Sequence, residues 1–160
     1  AAHTRIFATK LGLEQVRDGD DDLIDGVLKT MEEGAADFTL TFRRLSELAQ
    51  DGGDDPPVRE LFSDPAAFDA WAVQWRARLG SETRDDAARQ ASMRAVNPAY
   101  IPRNHLVEAA LDAAVENGDL EPLHDLRAVL QTPFASQPGQ ERYEQPPKPE
   151  EEVKATFCGT

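Results

Sequence analysis

Residues 64–80 carry the feature that most constrains the fold, an apolar stripe that repeats at the spacing of an α-helix. Its members are Phe68, Trp71, Ala72, Trp75 and Leu79. Asp64 and Pro65 precede the stripe as an N-cap and a first-turn proline, and Gly80 closes it. Aromatic residues at this spacing could form a ligand platform, but they more often pack in a core because they bury the most apolar surface. The segment is therefore predicted to be a core helix.

Similar patterns recur along the chain and predict further helices. An acidic run over residues 18–22 precedes one apolar stripe, Asp37 precedes a second, and a third occupies residues 83–96. Residues 106–117 and 119–130 repeat the pattern, and in the second segment Leu120, Leu123, Leu126 and Leu130 are predicted to face inward. Alternating β-branched segments are nearly absent. We therefore expect an all-α fold of about six helices in hairpins.

Residue 136 marks a change in character, because the chain beyond it is rich in proline and glutamate. Such a segment cannot form a core of its own and is expected to be disordered or laid across another surface. The predicted division is a helical domain over residues 1–135 and an extended tail over residues 136–160. Within the helical domain, residues 50–57 are rich in glycine, aspartate and proline and are predicted to be a linker.

Residues 97–105 form the densest group of polar and proline residues. A proline presets its own φ and pushes the preceding residue out of the helical region, so a helix is predicted to start near Pro102. The candidate residues of this structural motif are Asn97, Pro98, Tyr100, Pro102, Arg103, Asn104 and His105. The side chains of Arg103, Asn104 and His105 are expected to pair with neighbouring helices or with another part of a larger protein rather than with a substrate.

The charge balance bears on possible partners. Thirty acidic residues face seventeen basic ones, which gives a formal net charge of −13. This excess argues against a nucleic acid or an anionic membrane as the principal partner. The sequence also lacks an apolar window long enough for a spanning helix, and its first residues do not resemble a signal peptide, so a cytoplasmic location is expected.

Motifs for autonomous chemistry are missing from the sequence. The three histidines lack metal-ligand spacing, and the acidic run lacks the glycine and glutamate that a calcium loop needs after it. A hydrolase using His105 or His124 would need a nucleophile at a recognisable motif, and none occurs. The single cysteine, Cys158, is the one redox candidate, since a thiol near a chain end is accessible.

The first segment suggests that the chain is part of a longer polypeptide. Residues 6–13 read like the last turns of a helix that began earlier, with Gly12 as the C-terminal stop. The first residue is alanine rather than methionine. We therefore expect residues 1–160 to be a piece of a larger protein.

Several segments together resemble one known family. They are Asn97-Pro-Ala-Tyr-Ile-Pro-Arg-Asn-His-Leu-Val-Glu108 with Ala110, Asn117-Gly-Asp119, Leu130-Gln-Thr-Pro-Phe134, Lys10-Leu-Gly-Leu13, Asp37-Phe-Thr-Leu-Thr-Phe-Arg43 and Phe157-Cys-Gly-Thr160. In this order they resemble the C-terminal region of selenoprotein O, a family of protein AMP-transferases with a pseudokinase fold. The resemblance covers the whole chain.

The resemblance implies an activity that lies outside these residues. The family transfers AMP from ATP to Ser, Thr or Tyr of protein substrates with Mg²⁺ or Mn²⁺, using a kinase-like core upstream. None of the core's motifs occurs here, so no catalytic, cofactor-binding or metal-binding residue is assigned, and this chain alone is expected to be inactive. Cys158 matches the position of a selenocysteine or cysteine implicated in redox control, which implies a reversible disulfide with a core cysteine.

Two functional hypotheses follow. In the first, the chain is a structural and regulatory domain that packs on the kinase-like core, and without that core it exposes an apolar patch through which it could oligomerise. In the second, it is a freestanding helical module that grips a partner protein by one apolar face. The coding sequence upstream of Ala1 distinguishes them.

Overall fold

The computed structural model describes residues 2–48 and 57–153, and it describes the backbone of Pro56. Within these ranges the protein is all α, as predicted, and no strand is present. The α-helices of the described ranges are α1 (Ala2–Lys10), α2 (Asp20–Glu33), α3 (Phe38–Leu45), α4 (Pro56–Arg59), α5 (Pro65–Leu79), α6 (Asp86–Arg94), α7 (Asn104–Asn117) and α8 (Glu121–Leu130). None of them is long and apolar enough to cross a membrane.

Helix boundaries follow local capping chemistry. The Asp37 carboxylate accepts a hydrogen bond from the Leu40 amide at 2.8 Å, and Asp64 accepts one from the Ala66 amide at 3.0 Å. Each bond satisfies an amide that has no partner inside its helix. Gly118 closes α7 in the left-handed conformation that glycine tolerates best. These three capping positions confirm the predicted starts of α3 and α5 and the predicted end of α7.

The structure refines three predicted boundaries. Helix α7 begins at Asn104, two residues after Pro102 and so near the predicted start, because Arg103 has extended backbone and its amide bonds to the Ile101 carbonyl at 2.8 Å. Helix α6 is capped by Asp85, two residues after the predicted start. The one-turn helix α4 begins in the last two residues of the predicted linker and continues to Arg59.

The contacts divide the chain into two compact units, Ala1–Pro98 and Ala99–Thr160, called unit 1 and unit 2 below. This grouping differs from the predicted boundary at residue 135. It describes contacts rather than independent folding, so the domain boundary stays a prediction. The predicted motif at residues 97–105 contributes to both units.

Unit 1 is built around α5. All five members of its apolar stripe are buried, and α2 and α4 pack against it. The Trp71 indole donates to the Leu23 carbonyl and the Trp75 indole donates to the Leu11 carbonyl, both at 2.9 Å. Each tryptophan therefore buries its ring without leaving its N–H unpaired. The stripe is a core, as the sequence predicted.

Unit 2 has a smaller core. Helices α7 and α8 pack against each other. Buried residues from the segment before α7, from α8 and from the tail form its apolar cluster: Ala99, Tyr100, Leu126, Val129 and Tyr143. Tyr143 belongs to a short 3₁₀-helix, Glu141–Tyr143, and a second one follows at Pro149–Glu151. This part of the tail is laid across the unit rather than separate from it.

Candidate functional site

Asn97, the first residue of the predicted motif, is the centre of a buried polar network in unit 1. Its side chain is 0% exposed. The Nδ2 group donates to the Lys10 carbonyl at 2.9 Å, and Oδ1 accepts from Lys10 Nζ at 3.1 Å. The Asn97 carbonyl accepts from Arg43 Nη1 at 3.2 Å. One asparagine therefore links the end of α1, helix α3 and the residues after α6.

Lys10 is held in this network as a structural donor. Besides Asn97, its Nζ contacts the Val96 carbonyl at 3.4 Å, and it lies 5.2 Å from the centre of the Phe42 ring. Burial lowers the pKa of Lys10, since the charged form loses hydration. The aromatic face and two oxygens stabilise the ammonium group in return. This arrangement favours packing of helices rather than proton transfer.

Arg89 is a buried charge that the sequence analysis missed, because an arginine on a short polar helix is ordinarily exposed. Its guanidinium donates to Asp86 Oδ1 from Nη2 at 2.8 Å and to the Leu48 carbonyl, and it lies 5.6 Å from the centre of the Trp75 ring. Gly12 provides room for it, since a Cβ there would lie 2.8 Å from Arg89 Cγ. Gly12 was the sequence signal for this close packing, but in the sequence it predicts only the end of a helix.

Asp20 is a second buried charge that the sequence analysis read differently. The acidic run was expected to favour the N-terminus of α2 through the helix dipole, and Asp20, Asp21 and Asp22 do lie in its first turn. Asp20, however, is buried and accepts from Arg78 Nε at 2.7 Å and from the Arg17 amide at 2.7 Å. Its carboxylate therefore connects α2 to α5 as well.

Tyr100 fastens the segment before α7 to the loop after α8. Its hydroxyl accepts from the Gln137 amide at 3.0 Å and donates to the Gln137 carbonyl at 3.3 Å. The Ala99 amide donates to the Pro133 carbonyl at 2.8 Å. Burial raises the pKa of Tyr100. Its phenol is therefore a neutral structural group. Pro98, two residues earlier in the predicted motif, is half-buried.

Arg103, Asn104 and His105 come together at one cavity of about 480 Å³ in unit 2. The tail residues Pro147, Glu152 and Val153 and the side chain of Ile101 complete its lining. Burial lowers the pKa of His105, as does the nearby Arg103, while Glu151 opposes the change. The lining offers cationic, imidazole and carboxylate groups but neither a thiol nor a hydroxyl.

Pro102 lines a different feature, an apolar groove between α7 and α8. The groove has a volume of about 400 Å³. Its lining is Pro102, Val107, Leu123, Leu126, Arg127, Leu130 and Gln131. Leu120 and Leu123 were predicted to face inward, but both are exposed, because no helix of the described part of unit 2 covers that side of α8. The predicted motif thus contributes one face of an open groove.

The remaining candidates give no site within the described residues. Cys158, the redox candidate, lies outside them. In the ranges that the structure covers, no three His, Cys, Asp or Glu side chains are placed to hold a metal ion together. The divalent metal implied by the resemblance therefore has no set of ligands in these ranges. The motif at residues 97–105 is distributed over a buried network, a cavity and a groove rather than gathered in one catalytic constellation.

Comparison with known proteins gives one family. The family model described as Protein adenylyltransferase SelO matches residues 1–131. A Protein nucleotidyltransferase YdiU of Rhodopseudomonas palustris (strain BisB5) is 57% identical over 154 residues, which cover 96% of this chain and 31% of that relative. The corresponding protein of strain BisB18 is 54% identical over 94% of the chain and 30% of its own length.

A third relative, from Bradyrhizobium sp. (strain ORS 278), carries the same description and is 52% identical over 99% of this chain. It, too, is covered over a small share of its length, 32%. The chain therefore spans about a third of the length of the curated relatives it matches. With the family model matching most of its residues, the chain belongs to the SelO protein adenylyltransferase family.

Proposed function

We propose that this chain is the C-terminal, structural and regulatory domain of a SelO-type protein adenylyltransferase. The observation that carries the proposal is the match itself: nearly the whole chain aligns with a third of relatives described as protein nucleotidyltransferases. Its buried polar side chains at Asn97 and Arg89 hold structural networks between helices. The catalytic steps then belong to the part of the full-length protein that these residues do not include.

In the full-length enzyme, ATP supplies AMP to a Ser, Thr or Tyr hydroxyl of a protein substrate, with Mg²⁺ or Mn²⁺ stabilising the phosphate charge. Nucleotide and metal are proposed to bind to the kinase-like core. The present domain would support the core by packing against it. Its net charge of −13 fits this role, because an acidic excess disfavours the binding of a nucleotide phosphate.

Cys158 is the proposed regulatory element. Its thiolate would attack the disulfide of oxidised glutathione and release one glutathione thiolate. A core cysteine thiolate would then attack the Cys158 sulfur of the mixed disulfide and release the second glutathione thiolate. The domain and the core are thereby joined by one S–S bond, while the glutathione disulfide is reduced to two thiols. Reduced glutathione reverses the exchange, and the enzyme would switch between two redox states.

The decisive experiment replaces the matching third of the BisB5 relative with this chain and measures AMP transfer from ATP and Mg²⁺ to protein acceptors. The grafted enzyme is expected to retain activity, and the same relative truncated before the graft point is expected to lose it. A well-folded graft without transfer, beside an active parent, would contradict the proposal.

The redox role has a separate test in the grafted enzyme. Cys158→Ser should remove the difference in activity between oxidised and reduced glutathione buffers, whereas Thr160→Ser, two residues away, should keep it. If both variants respond alike, Cys158 is not the switch.

The location of the nucleotide site is tested on the 160-residue chain alone. Calorimetry is expected to show no ATP binding at micromolar affinity. Binding at that level would instead place a nucleotide site in this chain. The competing proposal, a freestanding interaction module, requires the 160-residue chain to occur and function without the rest of the family polypeptide.

A further inference from the structure

The outer face of the α7–α8 hairpin has an apolar surface without cover in the described part of unit 2. Leu111 is 45% exposed and Val115 is 84% exposed, while Leu123 on α8 is 37% exposed. Val107, Leu111 and Val115 are spaced four residues apart, so they follow one side of α7. Val107 and Leu123 both line the groove described above. The groove and the exposed side of α7 thus form one candidate docking face.

The charge beside this face is acidic. Glu108, Asp112 and Glu116 follow Val107, Leu111 and Val115 by one residue each, which places a carboxylate row along the neighbouring side of α7. Asp112 and Glu116 are exposed. A partner that inserts apolar side chains into the groove would complement this row with lysine or arginine. The groove and the carboxylate row therefore favour a partner segment whose apolar side chains enter the groove and whose neighbouring side chains are lysine or arginine.

We infer that this docking face receives an apolar, basic-edged segment from the part of the family polypeptide that this chain lacks. Relatives are about three times as long as the chain, so most of their polypeptide is available to cover it. The inference rests on the proposed function, since it names the surface through which the domain would pack. A second copy of the chain is the alternative occupant.

The test compares two exposed valines on helices, Val115 on α7 and Val73 on α5, which is 69% exposed. Each is replaced by cysteine in a Cys158→Ser background, both in the 160-residue chain and in the grafted full-length enzyme. Maleimide labelling at each position is followed by mass spectrometry of the corresponding peptide, so other cysteines of the graft do not interfere.

In the 160-residue chain both cysteines are expected to react quickly. In the grafted enzyme Val115→Cys should react about tenfold or more slowly, because labelling then requires the face to open, while Val73→Cys should change less. Equal rates at Val115 in the two proteins would overturn the inference. So would slow, concentration-dependent labelling of Val115→Cys in the chain alone, which identifies a second copy as the occupant.

The outcome is separable from that of the proposed function. A grafted enzyme that transfers AMP while Val115→Cys labels as fast as in the free chain leaves the proposed function intact and removes the docking face. An inactive grafted enzyme whose Val115→Cys is protected keeps the docking face and contradicts the proposed function.

Discussion

The two units use the same sequence pattern with opposite results. In unit 1 the apolar stripe of α5 is buried along its whole length, and among the described residues eighteen apolar side chains form one cluster. In unit 2 the stripe of α7 is equally regular, yet Ala110 is its one buried member. The second cluster has five residues in the described part of the chain. Periodicity therefore predicts an apolar face but not what covers it.

The difference has a physical origin in the number of packed elements. Unit 1 places α1, α2, α4 and α5 around a shared core, so that each helix finds apolar partners. A small unit buries a smaller share of its surface, and a two-helix hairpin leaves its outer face in water. Unit 1 therefore buries its apolar faces within itself, whereas the described part of unit 2 leaves one apolar face exposed.

The largest expected effect comes from truncating one leucine in each unit. Leu79 is buried and Leu111 is half-exposed, so Leu79→Ala should lower the free energy of unfolding by about 2–5 kcal/mol. Leu111→Ala should lower it by less than about 1 kcal/mol. Both tryptophans lie in unit 1 and both tyrosines in unit 2, so urea unfolding followed by each fluorophore reports the two units separately. Equal losses in the free energy of unfolding for the two variants would contradict this difference between the units.

Gly12 and Gly118 give the next contrast, since both have left-handed backbone, with φ of 80° and 67°. Alanine at either position pays the same conformational penalty. At Gly12 the new Cβ would also lie 2.8 Å from Met93 Sδ, whereas at Gly118 it would meet nothing within 4 Å. Gly12→Ala should therefore destabilise by about 1–3 kcal/mol more than Gly118→Ala. Thermal unfolding of the two variants measures the difference.

Asn97→Ala tests the polar network of unit 1. Removing the amide leaves the Lys10 carbonyl and ammonium short of a partner, which should cost about 1–3 kcal/mol. Asn104→Ala, at the exposed start of α7, is the matched control and should change stability by less than about 0.5 kcal/mol. Tryptophan fluorescence during urea unfolding reports the loss in unit 1. An unchanged midpoint for Asn97→Ala would show that the network is dispensable.

The smallest expected effect is a pH dependence in unit 2. The folded pKa of His105 is lowered by burial, so the unfolded chain binds more protons as the pH falls below about 6.5. The free energy of unfolding should be highest above that pH and should decline as the pH falls from there to the folded pKa. His105→Gln should flatten this decline, while His124→Gln on the exposed side of α8 should not. Tyrosine fluorescence during unfolding at several pH values measures it.

Local sequence was enough to predict the helices whose ends carry their own capping groups. Asp37, Asp64 and Gly118 fix boundaries through bonds and conformations that involve only nearby residues. Residues without such local control were harder. A backbone bond from Arg103 to Ile101 sets the start of α7 two residues after Pro102, and α4 begins at the end of the segment that reads as a linker. Boundary errors arose where tertiary packing or backbone geometry outweighed the pattern.

The candidate residues divide in the same way. The sequence identified residues 97–105 as a distinctive group, and the family match agrees with the resemblance that these residues carry. It did not predict that Asn97 would be buried while His105 lines a cavity, because those environments depend on helices far away in the chain. Arg89 was missed entirely, since its partners Leu48 and Trp75 lie more than ten residues away.

By itself, then, the sequence determined the all-α class, the family and the position of the core stripe in α5, because helical periodicity and capping are local properties. Only the tertiary structure decided which apolar faces are covered and which charges are buried. Burial depends on contacts between distant segments, and two stripes with the same spacing are indistinguishable until their neighbours are known. The open face of α7 and α8 is the clearest result of that second level.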